Sequence, residues 1–326
     1  MKRVITLVIC AAALLTMVLT LSACKASSSY TPEKKDPVVS TPTVGEDGKL
    51  RVGVNSSNAP FSAQVSGNIV GIDVDIAAAL ADEMGLTLEI VDVGSDVEGA
   101  LKNGTVDIVM GIDKSDSSNT FWTSDPYLQS AVAIFASSES EALPSASSSD
   151  TKIEAQTSSL SAWEVGSQYG DSSLTSVDDL KTAFQDLANG KTKYVASDAV
   201  IGSYVCNSNG IDSSIIGLMA SPSGYCVGLS SSNTDLQSAV KTALSTLESQ
   251  GIIKVIEKKW LGKALDVSSV SLTENATKAN SNSTETEETT SEEESTEETT
   301  TEEESSDTSS ESSEEEVYYE EEVYTE

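Results

Sequence analysis

This chain has 326 residues and no histidine, so any chemistry must come from carboxylates, hydroxyls, amines or thiols. The missing histidines remove the commonest general base and the commonest metal ligand. A Ser-His-Asp triad and a His-ligated zinc site are excluded by composition. Two aspartates are notable for their surroundings. Asp113 follows an apolar run and sits in a polar turn, Gly111-Ile112-Asp113-Lys114-Ser115-Asp116-Ser117-Ser118. Asp198 stands between a short apolar run and a helical one, in Val195-Ala196-Ser197-Asp198-Ala199-Val200. An aspartate there suits an N-cap, and Asp113 suits the capping of a turn. The pair could serve as acid and base, but no neighbouring motif completes such a site, so no enzymatic activity, cofactor or metal is expected.

The four cysteines divide into two kinds. Cys10 and Cys24 belong to a leader. Lys2 and Arg3 precede the apolar run from Val4 to Thr20, and Leu21-Ser22-Ala23 sets small residues just before Cys24. The run resembles a bacterial lipobox. It implies removal of residues 1–23, lipidation of Cys24 and a membrane anchor of two or three acyl chains. An uncleaved transmembrane helix is the other reading. Cys206 and Cys226 remain, an even pair that could form a disulfide in an exported protein or stay as two buried thiols.

Charge is spread unevenly. The chain carries 52 acidic and 19 basic residues, and from Ser271 onward there are 21 acids and one lysine, Lys278. Such a surface disfavours nucleic acid, which needs clustered Lys and Arg. The segment from 266 to 326 is rich in Thr, Ser and Glu and reads as a disordered acidic tail, with Val317-Tyr318-Tyr319 and Val323-Tyr324 as a conceivable docking motif. At the other end, residues 24–43 read as a flexible tether rich in Ser, Pro, Thr and Lys.

The elements that must position the aspartates lie between these flanks, in a body spanning 44–265. Short apolar strands are predicted at Leu50–Val54, Leu86–Val91 and Val106–Met110. Ile76, Leu80 and Met84 mark a helix between the first two, with Asp73 or Asp75 at its start and Gly85 at its end. A strand at Ala131–Phe135 is followed by a serine-rich boundary, 137–151. A second set of strands and helices follows, with strands at Ile153–Gln156, Tyr194–Ala196, Ile215–Met219 and Tyr225–Leu229. Helices are expected at 177–187 and 198–205, then along Leu236, Val240, Leu244 and Leu247, and last at Ile252–Trp260. Strand–helix–strand alternation implies parallel sheets flanked by helices.

Five runs in this order resemble the extracytoplasmic solute-binding proteins of family 3. They are LRVGVNSSNAPF, GIDVDIAAALADEMGLTLEI, GALKNGTVDIVMGIDKS, TSDPY and LSTLESQGIIKVIEKKWLG, covering Leu50 to Gly262. The resemblance implies a two-lobed α/β fold of type 2 with two interlobe crossings, near Phe135 and Tyr225. Lobe one would hold about 44–135 and 225–265, and lobe two about 136–224. It further implies a monomeric substrate-binding lipoprotein on the extracytoplasmic face of the membrane, closing around a small polar solute and read by an ABC permease. A sensory or degenerate surface lipoprotein on the same fold is the rival reading.

The resemblance also assigns positions in the cleft. Asp198 falls on the aspartate that pairs with a ligand ammonium. Ser158 and Ser159 fall on the turn with which lobe two contacts the ligand, where backbone N–H groups suit an anion or carbonyl. Asp113 replaces a small hydroxyl residue, Ser115 follows in the same run, and Ser118 stands at the position of the arginine that clamps a ligand carboxylate. After the leader the one arginine is Arg51, so that clamp is missing. Asn58 and Gly94 replace two aromatics, Phe61 keeps its place, and Trp163 and Tyr169, in a loop of lobe two, are the expected substitutes. The implied ligand is cationic or neutral-polar, an amine-type solute or a related amino acid.

Overall fold

The structure, a computed structural model, describes residues 35–278, all within one compact unit. Lobe one opens with β1 (Lys49–Val54) and a small antiparallel sheet, β2 (Ser57–Asn58), β3 (Ser62–Val65) and β4 (Asn68–Val70). It continues through α1 (Ile72–Glu83), β5 (Thr87–Asp92), α2 (Val97–Lys102), β6 (Ile108–Asp113), β7 (Trp122–Thr123) and β8 (Leu128–Ser130). Lobe two holds β9 (Val132–Ala136), β10 (Ile153–Gln156), α3 (Leu160–Tyr169), β11 (Leu174–Val177), α4 (Leu180–Ala188), β12 (Val195–Asp198), α5 (Ala199–Asn209) and β13 (Ser214–Ala220). The chain returns to lobe one as β14 (Ser223–Leu229), α6 (Thr234–Ser249) and α7 (Ile252–Leu261). A last strand, β15 (Leu272–Thr277), follows.

Each lobe is built on its own sheet. The first runs β5-β1-β6-β14-β7, with β8 also paired to β14. Its β1 is parallel to β5 and β6, as crossover helices require, and β14 lies antiparallel to β6. Leu50, Val52 and Val54 are fully buried, and so are Ile76 and Leu80 on the inner face of α1. The second sheet runs β11-β10-β12-β9-β13-β15. Its core forms around Phe135 and Phe184, whose rings meet edge to face at 5.1 Å. Helix α5 serves both lobes. Val200 packs in the core of lobe one, and Ala199 and Cys206 pack in that of lobe two.

The pairing moves the first crossing and leaves the second near Tyr225. Val132 pairs with Asp198 and Phe135 with Val195, so this strand belongs wholly to lobe two and the first crossing falls at Ala131, not near Phe135. The run VAIFA is buried along its length, so its composition suits the middle of either sheet, and pairing alone decides. The second crossing is Ser221-Pro222, just before Tyr225.

Both flanks are ordered where they are described. The Val38 amide donates to Met84 O at 3.0 Å, Asn233 Nδ2 donates to Thr43 O at 2.9 Å, and Lys35 pairs with Glu83. Val39 packs against the core of lobe one. Residues 35–43 are thus a docked segment rather than a flexible tether. At the other end Val267 is buried and β15 adds a strand to the sheet of lobe two, so disorder does not begin at 266. Apolar residues at 265, 267, 270 and 272 outweigh the surrounding serines. The leader, Cys24 and the acidic segment from 279 lie outside the described residues.

The disulfide considered from sequence is not formed. Cys206 and Cys226 are free, buried and in separate apolar clusters, one in lobe two and one beneath the sheet of lobe one.

Candidate functional site

One cavity lies in the cleft between the lobes, and a second, in lobe one, shares Asp113 with it. The larger, about 310 Å³, takes Asp113 and Ser115 from the end of β6, Gln156, Ser159 and Leu160 from the β10–α3 turn, Asp198 from the end of β12, and Ser130 and Tyr225 beside the crossings. The smaller, about 230 Å³, lies in lobe one. It is lined by Asn55, Asn58, Phe61, Asp73, Gly94, Asp113, Asp116 and Asn119, among others. Asp113 lines both.

Asp198 caps α5. Its Oδ1 accepts the amides of Val200 and Ile201, each at 2.9 Å. Its Oδ2 accepts Ser130 Oγ at 2.6 Å and the Tyr225 hydroxyl at 3.2 Å. Both hydroxyls come from lobe one, and Asp198 comes from lobe two. Burial pushes its carboxyl above the usual range, and the four bonds oppose that rise. Sequence reasoning missed Ser130 and Tyr225, which stand 68 and 27 residues away. The Tyr225 ring also meets Phe61, at 4.2 Å between centroids. Tyr225 thus brings to the interlobe cavity an aromatic face, backed by the buried Phe61, that the sequence gives no sign of, because Asn58 and Gly94 occupy the positions expected to carry one.

Asp113 sits in an exposed turn. Its Oδ1 accepts the Ser115 amide at 2.8 Å and the Ser115 hydroxyl at 2.7 Å. Lys114 is held away from the cleft, its Nζ donating to Ser124 O at 2.9 Å and Thr123 Oγ1 at 3.0 Å. Ser118 lines neither cavity. Its amide and hydroxyl close a turn on Asp116 at 2.9 and 2.6 Å. Arg51 lies outside the cleft, paired with Asp107 at 2.6 Å.

On lobe two the predicted turn divides. Ser159 lines the larger cavity and caps α3, accepting the Ala162 amide at 3.0 Å. Ser158, at φ +58°, faces an outer depression that it shares with Trp163. Trp163 and Tyr169 stand on α3 rather than in a loop. Trp163 is 62% exposed on that outer face, and Tyr169 is buried in the core of lobe two, so neither reaches the cleft. Ser159 as a cap, the buried spacing of Ala162, Val165 and Tyr169, and Gly170 at the end were the signals for this helix.

A third carboxylate was read from sequence only as a candidate cap. Asp73 is almost fully buried at the floor of the smaller cavity, and its Oδ1 accepts the Tyr127 hydroxyl at 2.5 Å. That hydroxyl in turn accepts the Gly111 amide at 2.9 Å. Burial pushes the Asp73 carboxyl up to about 7. Gly111 has φ +74°, and a Cβ there would stand 2.7 Å from Asp73 Oδ2. The cavities are thus lined by four carboxylates, Asp73, Asp113, Asp116 and Asp198. Among the described residues no lysine or arginine lines either one, and no cluster of acidic or cysteine side chains suits a metal ion.

Residues 50–263 match the bacterial extracellular solute-binding proteins, family 3. The chain belongs to this family. Its two lobes match solved structures of extracytoplasmic solute-binding proteins. One is an ancestral cationic amino acid solute-binding protein, 23% identical with a TM-score of 0.56, covering 66% of this chain and 96% of that one. Another is the substrate-binding protein of a polar amino acid ABC uptake transporter from Streptococcus thermophilus, 19% identical with a TM-score of 0.60, covering 67% and 87%. At these identities the likeness establishes the fold. Protein MoxJ of Paracoccus denitrificans is 31% identical over 100 residues, which span 29% of this chain and 34% of that relative. Family 3 proteins bind small solutes outside the cytoplasm.

Proposed function

We propose that this family 3 protein is the substrate-binding lipoprotein of an ABC importer, anchored through Cys24, and that its solute is cationic or a neutral polar amine. The observation that carries the ligand class is the charge of the cleft. Four aspartates line the two cavities, Asp113 and Asp116 exposed, Asp73 and Asp198 raised by burial toward the neutral form, and among the described residues no cationic side chain is there to receive a ligand carboxylate. Such a cleft favours an ammonium group and repels an anion. Asp113 has one oxygen committed to Ser115 and stands where the cavities meet, which makes it the first choice as ligand partner. Tyr225, half-buried in the interlobe cavity and backed by the buried ring of Phe61, adds a face against which a cation or an alkyl chain can lie. Closing of the lobes would be the signal that a membrane permease reads. With no histidine in the chain, and with Asp198 engaged as a helix cap and Asp113 as a turn closer, the reading is binding rather than turnover.

The test is thermal unfolding of the purified chain with putrescine, spermidine, choline, arginine, glutamine and glutamate. A ligand at a hundred times its Kd adds about 2.7 kcal/mol of stability, a readable shift. The amines are expected to raise the transition and glutamate to leave it unmoved. Tight binding of glutamate or aspartate would overturn the reading.

A further inference from the structure

The two crossings are not the last connection between the lobes. After α7 the chain leaves lobe one again. Ile253, Ile256 and Leu261 of that helix are buried in the core of lobe one. Leu265 packs against the cores of both lobes, and the backbone N–H of Leu265 is bonded to the Glu257 carboxylate on α7. Val267, 1% exposed, is fixed in the core of lobe two. β15 then pairs in parallel with β13, Leu218 opposite Leu272 and Ala220 opposite Thr277.

The strand is locked by a buried polar network on α3. Gln168 Nε2 donates to Glu164 Oε2 at 2.5 Å and to Met219 O at 2.6 Å. Thr273 Oγ1 donates to Gln168 Oε1 at 3.0 Å, Thr277 Oγ1 to Glu164 Oε2 at 3.0 Å, and Asn275 Nδ2 to Gln168 O at 3.1 Å. Its far end meets the second crossing, where the Ser221 amide donates to Thr277 O at 2.8 Å. The family match stops at residue 263, so this whole segment lies beyond it.

We propose that residues 264–277 are a strap, a third interlobe connection that limits how far the lobes open. Leu261 is anchored in lobe one and Val267 in lobe two, and the stretch between them spans roughly 20 Å at full extension. Opening about Ala131 and Ser221-Pro222 must either straighten this stretch or peel β15 from β13. Peeling exposes the buried side chains of Glu164, Gln168 and Thr273 without their partners, which opposes it. The strap therefore biases the unliganded protein toward a narrow range of lobe separations.

The experiment uses spin labels at Lys102 on α2 and Lys181 on α4, both exposed and one in each lobe, with the interlobe distance read by electron–electron double resonance. No solute is added, so the result is independent of the proposed function. Thr273→Asp, which sets a carboxylate beside Glu164 and Gln168, releases the strap in the full chain. Hydrogen exchange at the Leu218 and Ser221 amides reports the release, because they donate to Ser271 O and Thr277 O. The expected result is loss of protection at both amides together with a longer, broader distance distribution. Loss of protection with an unchanged distribution overturns the proposal. If Thr273→Asp keeps its protection, a chain ending at Lys263 decides, and unchanged distances there overturn it equally.

Discussion

The phenol of Tyr225 donates to the carboxylate of Asp198 across 3.2 Å, joining the strand that returns to lobe one to the cap of a helix in lobe two. Ser130 donates to the same oxygen from beside the other crossing. Asp198 is thus a tie between the two crossings before it is anything to a ligand. Replacing it with alanine removes a cap, worth about 1 kcal/mol, and leaves two hydroxyls without their acceptor, each costing about 1 kcal/mol or more. Asp198→Ala should therefore lose roughly 2–4 kcal/mol in urea unfolding, and Tyr225→Phe about 1 kcal/mol. Equal losses from the two variants would argue against the tie.

Asp113 and Ser118 separate the ligand question from the fold. Asp113→Asn should weaken whichever amine of the panel binds, by roughly tenfold or more if a cation pairs with it. Ser118→Ala should leave that affinity unchanged, since Ser118 only closes a turn on Asp116. Isothermal titration of both variants checks this, and loss of binding in Ser118→Ala would restore that position to the site.

Stability should fall as pH rises from about 4 to about 7. In the native state Asp73 keeps its proton up to about 7, and the unfolded chain releases the same proton near the ordinary aspartate value of 3.8. Between those points the native state binds more protons, so raising the pH favours unfolding. Burial also pushes Glu257 up to about 7, so it acts in the same window. Asp73→Asn keeps an acceptor for Tyr127 and should flatten this slope in part, as read by urea midpoints at pH 4.5, 6 and 8. An unchanged slope would place the effect elsewhere.

Gly111 combines φ +74° with close approach to Asp73, so Gly111→Ala should cost roughly 1–3 kcal/mol. The strain is local, and circular dichroism should show a folded protein with a lowered midpoint.

Burial pushes the thiols of Cys206 and Cys226 up to about 11. In the native protein neither should react with a disulfide reagent at pH 8. In denaturant without reductant both should react, and failure to do so would mean that they are bonded after all.

Much of the frame was legible. Leu50, Val52 and Val54 announce a buried strand, and Ile76, Leu80 and Met84 announce the helix behind it. The alternation of such runs carries the fold class, and the resemblance of five of them in order carries the family. The places where the reading slipped share a cause. The apolar run at 132–136 suits either lobe, and only its pairing with β12 and β13 assigns it. The helix bearing Trp163 is masked by serines and a glycine, and β15 hides in the start of an acidic segment. In the site, Asp113 and Asp198 stood out as carboxylates. Their partners did not, because Ser130, Tyr225 and Asp73 arrive by tertiary contact and not by spacing. Ser118 shows the limit of positional analogy, since a residue at the place of an arginine does not inherit its reach.

Trp260 gives the molecule a readout of its own. Its indole Nε1 donates to Asp75 of lobe one at 2.7 Å, its carbonyl accepts from Asn207 of α5 at 3.0 Å, and its ring lies 6.4 Å from that of Tyr204 on the same helix. The fluorophore is therefore wedged between the two bodies that must move. Its emission can follow lobe motion in the unlabelled protein, with Trp122→Phe and Trp163→Phe removing the other two indoles from the signal.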